Sequence, residues 1–106
     1  MTLTLKEIAD IVGGSIAGDS SKPINGIGAL DSANPNQISY AVSAKYKDSL
    51  KNSNAGAFII NKDLKNFCLS DSVIVDNVYL AYSILTHKFK VNQNIHHLNY
   101  DQQLIY

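Results

Sequence analysis

Apolar residues recur at helical spacing near the start of the chain: Leu5, Ile8, Ala9 and Val12 fall on one face, and Gly13-Gly14 stands where such a helix would stop. Thr4-Leu5-Lys6-Glu7 has the form of a capping box, in which a hydroxyl and a carboxylate satisfy the exposed N–H groups of a helix start. A helix is therefore predicted from residue 5 to residue 12. Residues 15–18 predict a short strand and turn, and the polar run 18–23 is rich in residues that bend or cap a backbone. Residues 24–30 predict a strand with Gly26 and Gly28 inside it, which implies a bulge or the close approach of another segment. After a Pro/Asn-rich loop over 31–37, residues 38–42 alternate β-branched and aromatic side chains with small ones. They predict a strand that breaks at small residues and turns helical near Tyr46, continuing as a short polar helix over 47–52.

The second half is more apolar. Residues 55–60 and 72–76 are compact hydrophobic runs of the kind buried on both faces of a sheet, with room for a helical turn or two over 62–67 between them. A strand, helix, strand rhythm implies a right-handed crossover and parallel pairing. Asn77 is placed to cap the longest helix, 78 to about 88, whose Ala81, Leu85 and Phe89 share one face with Leu80 and Ile84 beside it. The fold class expected is α/β: a small sandwich with a short mixed sheet and a βαβ unit, covered by the N- and C-terminal helices. Residues 1–90 form the expected domain, and residues 91–106, where no period can be read, a tail.

Composition narrows what such a domain can do. With 45% apolar and 17% charged residues the chain has an ordinary globular balance. Its formal net charge is zero, so no long-range field gathers nucleic acid or an anionic membrane surface. The first helix could open a helix-turn-helix, but no basic second helix follows it. All nine basic residues are lysines, so any phosphate would be held without the bidentate guanidinium fork. Gly26-Ile27-Gly28 lacks the further glycine or Gly-Lys-Ser/Thr step of a phosphate loop. Cys68 is a lone cysteine in an apolar-flanked segment, expected to be a buried inert thiol. His87, His96 and His97 are expected to be exposed, and no third or fourth ligand accompanies the adjacent pair, so no metal site or cofactor is expected. The longest apolar run, 55–60, is too short for a signal peptide core or a membrane span, which predicts a cytoplasmic protein. The candidate site is Tyr40, Ser43 and Tyr46. Two rings on either side of a strand break can face one another across a gap that fits a flat ring, with a hydroxyl between them, or they can simply be half-buried packing residues.

The order of segments also points to a family. Leu5-x-Glu7-Ile8-Ala9 with Gly13-Gly14, Ile27-x-x-Leu30-Asp31-Ser32-Ala33, Ile38-Ser39-Tyr40, Lys45-Tyr46, Ala55-Gly56-Ala57, Val75-Asp76-Asn77 and Tyr79-Leu80-Ala81-Tyr82 resemble the N-terminal domain of the UDP-3-O-acylglucosamine N-acyltransferases of lipid A biosynthesis in Gram-negative bacteria. The resemblance implies a uridine-binding domain in which the uracil of a UDP-sugar stacks between Tyr40 and Tyr46. The family has Asn, which hydrogen-bonds the base, at the position of Ser43, and usually Pro at the position of Val78. A serine is shorter and does not offer a donor and an acceptor on one planar amide, so it would reach the base through water or not at all.

In that family the 3-hydroxyacyl chain passes from acyl carrier protein to a sugar amine with a histidine as general base. That histidine belongs to a left-handed β-helix of hexapeptide repeats, which this sequence does not contain, and none of His87, His96 and His97 matches it. The resemblance thus implies a UDP-sugar recognition domain with no catalytic residue of its own, monomeric alone. The acyl carrier protein and the homotrimer belong to a full-length enzyme. A stand-alone nucleotide-sugar-binding module, of the kind built similarly in some muramyl-peptide ligases, or a protein-interaction domain with a decayed uridine site, is the alternative.

Overall fold

The computed structural model describes residues 2–68 and 70–93. The chain forms a mixed α/β fold on a five-stranded sheet. The capping box is made in both directions: Glu7 N donates to Thr4 Oγ1 at 3.2 Å and Thr4 N donates to Glu7 Oε1 at 2.9 Å. It starts α1 (Leu5–Val12), which buries Leu5, Ile8 and Ala9. Gly13 ends the helix in the left-handed region at φ 74°, its N–H returning to the Ala9 carbonyl at 2.8 Å. Before α1 lies β1 (Leu3–Thr4), after it β2 (Ser15–Ala17).

The strand expected over 24–30 is instead two short pieces in different sheets. β3 (Pro23–Ile24) pairs antiparallel with β1, whereas β4 (Gly26–Ile27) joins the main sheet. Asn25 turns out between them and donates its N–H to the Asn36 carbonyl at 2.8 Å, which ends one ladder and lets the next begin. Of the two glycines, only Gly28 is crowded: a Cβ there would lie 2.8 Å from the Ala33 Cβ, whereas one at Gly26 would meet nothing closer than 3.9 Å.

β5 (Gln37–Tyr40), β6 (Ala57–Ile60) and β7 (Ser72–Ile74) complete the sheet in the order β2-β7-β6-β5-β4. β4 to β7 run parallel, and β2 closes the far edge antiparallel to β7, a pairing no local pattern announces. Central β6 is buried at all four positions. Ala57 and Ile59 face α1 and α3 (Val78–Gln93), while Phe58 and Ile60 pack with Leu50 of α2 (Lys47–Asn52) and Leu64 of the 3₁₀ helix Lys62–Phe67. Each of the buried Ile, Leu and Phe side chains among these contributes about 1.5–3 kcal/mol. The terminal helices therefore cover one face only, and the segments between the strands cover the other.

Helix α3 is longer than expected and runs through Val91–Gln93, where the tail was placed. Asn77 caps it, accepting the Leu80 N–H at 3.0 Å. Val78, Ala81, Leu85 and Phe89 form its buried stripe; Leu80 and Ile84 are 56% and 38% exposed and lie off the core. The remainder of the tail, with His96 and His97, lies outside the described residues. Among the described residues no helix is long and apolar enough to cross a membrane.

Candidate functional site

Parallel strands bring their carboxyl ends to one edge of a sheet, and ligands of open α/β sheets gather there. At this edge β5 ends on Tyr40, and the chain passes through Ala41 and Val42 to Ser43, which opens a 3₁₀ turn over Ala44–Tyr46. The turn is fixed from two sides. Tyr46 N donates to the Ser43 carbonyl at 3.1 Å, and Asn61, at the end of β6, donates its side-chain N–H to the Val42 carbonyl at 3.3 Å. The same Asn61 accepts the Leu64 N–H at 3.2 Å, so one side chain caps the 3₁₀ helix and pins the end of β5.

The result is a cavity of about 190 Å³ lined by Tyr40, Ala41 and Val42, by Tyr46, by Ala29 and Leu30 of the loop after β4, and by Tyr79 of α3. The two tyrosines singled out in the sequence thus share one cavity. Ser43 is half-buried beside it and does not line it, and its side chain makes no cap hydrogen bond to the turn. The volume is below the roughly 300–1,000 Å³ of drug-sized ligand sites. It suits a single ring with the rest of a ligand outside.

Both rings are already in contact with the protein. Tyr40 stacks on Tyr82 of α3, with centroids 4.3 Å apart and planes tilted by 35°. Lys45 Nζ stands 5.1 Å from the centre of the Tyr46 ring, a cation–π distance. Tyr82 thus stands against the Tyr40 ring and a cation against the Tyr46 ring, while both tyrosines also pack against the core. Sequence reasoning did not single out Tyr79 and Tyr82 as site residues. The signal available was their spacing of three on a helix, which puts both on one flank.

A wider groove of about 600 Å³ lies farther along the same edge, between Gly13-Gly14-Ser15, Lys62, Lys65, Asn66 and the end of β7. It is larger but open, polar and without aromatic walls, and it holds none of Tyr40, Ser43 and Tyr46. Of the two, the smaller cavity has the aromatic walls on which a flat ring can stack. Cys68 is half-buried and donates to the Ser70 carbonyl at 3.7 Å; burial is the main cause pushing its thiol pKa above the ordinary value. His87 is exposed on α3. Among the described residues no three of His, Cys, Asp and Glu are grouped to hold a metal ion.

Residues 21–88 match the model of the family described as UDP-3-O-(3-hydroxymyristoyl) glucosamine N-acyltransferase, LpxD. The chain is 42% identical over 92 residues to a UDP-3-O-acylglucosamine N-acyltransferase of Vesicomyosocius okutanii, an alignment covering 87% of this chain and 27% of that protein. It is 43% identical over 93 residues to the protein of the same name from Ruthia magnifica, covering 88% and 28%. With the Ectopseudomonas mendocina protein of that name it shares 35% over 88 residues, covering 83% and 25%. The chain spans about a quarter of the length of these relatives.

Proposed function

Because the chain belongs to the UDP-3-O-(3-hydroxymyristoyl) glucosamine N-acyltransferase family, we propose that it is the UDP-sugar recognition domain of such an enzyme, holding the uracil ring between Tyr40 and Tyr46. The observation that carries this reading is the cavity these two tyrosines share at the carboxyl end of β5, sized for one ring, with Tyr82 against the Tyr40 ring and Lys45 against the Tyr46 ring. A flat base entering it stacks on both tyrosines. Ser43 lies next to the cavity and reaches the base edge through a bridging water. The sugar and diphosphate extend outside, where the contact to phosphate falls to lysine in a chain without arginine.

The chain's own part in the chemistry is binding and orientation. Among the described residues the side chains lining the cavity are apolar or phenolic and His87 is exposed on α3, so in this reading none of them is the general base for acyl transfer. Acyl carrier protein and the trimer belong, in this reading, to the rest of a full-length enzyme, and the domain alone is a non-catalytic monomer in the cytoplasm of a Gram-negative cell.

Calorimetric titration with UDP-N-acetylglucosamine tests the proposal. Stacking contributes about 1–3 kcal/mol per base by alanine substitution, so Tyr46→Ala weakens binding about 5- to 150-fold. Both tyrosines also pack against the core, so the thermal midpoint of Tyr46→Ala is measured beside its affinity, to separate lost stacking from lost stability. Equal affinity of Tyr46→Ala and the native chain would leave the tyrosines as packing residues only.

A further inference from the structure

We infer that helix α3 is part of the ring site: Tyr82 is a positioning residue that sets the plane of Tyr40, and Tyr79 is a third aromatic wall that touches the bound nucleoside. This rests on the uridine-site reading and adds to it a second structural element.

Tyr40 is the last residue of β5, and its strand support is one-sided. On the β6 side it stands opposite Ile59, but β4 has ended at Ile27, opposite Ile38, so no strand residue flanks Tyr40 on that side. A ring at such a corner has more than one accessible χ1 well unless something else holds it. The core on one side and the stack on Tyr82 at 4.3 Å on another supply that hold. The backbone that carries Tyr82 is in turn anchored in the core, since Ala81 and Leu85 are 2% and 0% exposed.

Tyr79 lies one turn earlier on the same flank, so the helix that presents Tyr82 to the back of Tyr40 also presents Tyr79 to the cavity. Tyr79 is 65% exposed and lines the cavity, so its ring is accessible to a ligand entering there. Its backbone is anchored on both sides by buried Val78 and by the Asn77 cap on the Leu80 N–H. A tyrosine held in this way offers contact area while losing little conformational freedom on binding. Three rings around one cavity also supply binding through π-faces, where Ser43 makes no direct hydrogen bond to the base.

The test is an NMR titration with UMP of the native chain and four variants: Tyr79→Ala, Tyr82→Leu, Tyr82→Phe and Tyr46→Ala. Tyr79→Ala is expected to weaken UMP binding by about fivefold or more without moving the thermal midpoint, since the side chain is mostly in water. Tyr82→Phe keeps the stack and binds like the native chain. Tyr82→Leu keeps the apolar contact but loses the ring, so binding weakens about two- to tenfold and the Tyr40 ring protons lose their ring-current shift, which Tyr82→Phe retains. If Tyr46→Ala loses binding while Tyr79→Ala and Tyr82→Leu do not, the uridine site stands and the role of α3 is overturned. If the native chain itself does not bind UMP, the uridine-site reading falls first. Should Tyr82→Leu fail to fold, Tyr79→Ala alone decides whether α3 touches the ligand.

Discussion

Gly26 and Gly28 sit two residues apart in the segment that leads to the cavity, and adding one methyl group to each should have opposite effects. At Gly28 a Cβ would lie 2.6 Å from Gln37 Oε1, 2.8 Å from the Ala33 Cβ and 2.9 Å from the Ala33 Cα. Ala33 is buried and its N–H is bonded to the Ala29 carbonyl at 2.8 Å, so it does not swing away freely. Gln37 Oε1 can move, but it then leaves the Asn34 N–H that it accepts at 3.0 Å. Overpacking costs about 1–3 kcal/mol and a lost hydrogen bond about 0.5–1.5 kcal/mol, so with partial relaxation Gly28→Ala destabilises by about 2–3 kcal/mol. For a domain of this size that lowers the thermal midpoint by about 8–24 °C. Gly26→Ala meets only ordinary contact at 3.9 Å and restricts the unfolded chain, so it stabilises by about 0.4–1 kcal/mol. Thermal and urea unfolding followed by circular dichroism would measure both. Midpoints that agree within about 2 °C would refute the steric account, since the expected gap is several times larger. The variant also bears on the site: the displaced loop carries Ala29 and Leu30, two of the cavity walls.

Other consequences are more local. Asn61→Ala removes a cap and a bond to the Val42 carbonyl, and should cost about 1–3 kcal/mol in urea unfolding; Asn61→Asp keeps the acceptor for Leu64 N and should restore part of the loss. Ser39 is 1% exposed and its hydroxyl has no hydrogen-bond partner among the described residues, so Ser39→Ala should leave stability unchanged or raise it by up to about 1 kcal/mol; a clear loss would mean that the hydroxyl is satisfied. Cys68 has its pKa raised mainly by burial, with the Asp71 charge adding to the rise. Its thiol should therefore react with a disulfide reagent more slowly than a free cysteine at pH 8, and faster in urea. The sign of the linkage follows: the contribution of Cys68 is constant below the unfolded thiol pKa of about 8.5, and stability falls as pH rises through it because the unfolded chain ionises first. A Cys68→Ser variant should lose that part of the alkaline slope.

The sequence was most readable where one residue decides a local structure. The Thr4 and Glu7 box, the Gly13 stop, the Asn77 cap and the apolar run of β6 each act within one turn or one strand. Two-residue strands have no period to read, which is why β3 and β4 merged into one expected strand and why β1 escaped notice. The end of α3 was placed too early because the apolar stripe stops at Phe89 while the backbone continues to Gln93. At the candidate site, Tyr40 and Tyr46 were legible because they flank a strand break. Tyr79 and Tyr82 enter the sequence reading as helix residues and as part of the family motif, not as site residues; their place depends on how α3 crosses the sheet, a tertiary fact that no window around Tyr40 contains. Ser43, expected between the rings, opens the turn and is not among the residues that line the cavity.

Whether the cavity shared by Tyr40 and Tyr46 takes the uracil ring is decided by titrating the chain with UMP and with AMP and following the NMR shifts of the two tyrosine rings. The account predicts saturable shifts of both rings with UMP, detectable up to the millimolar range expected of stacking alone, and weaker binding of the larger purine in a cavity of about 190 Å³. No shifts with UMP, or equal shifts with AMP, would contradict it.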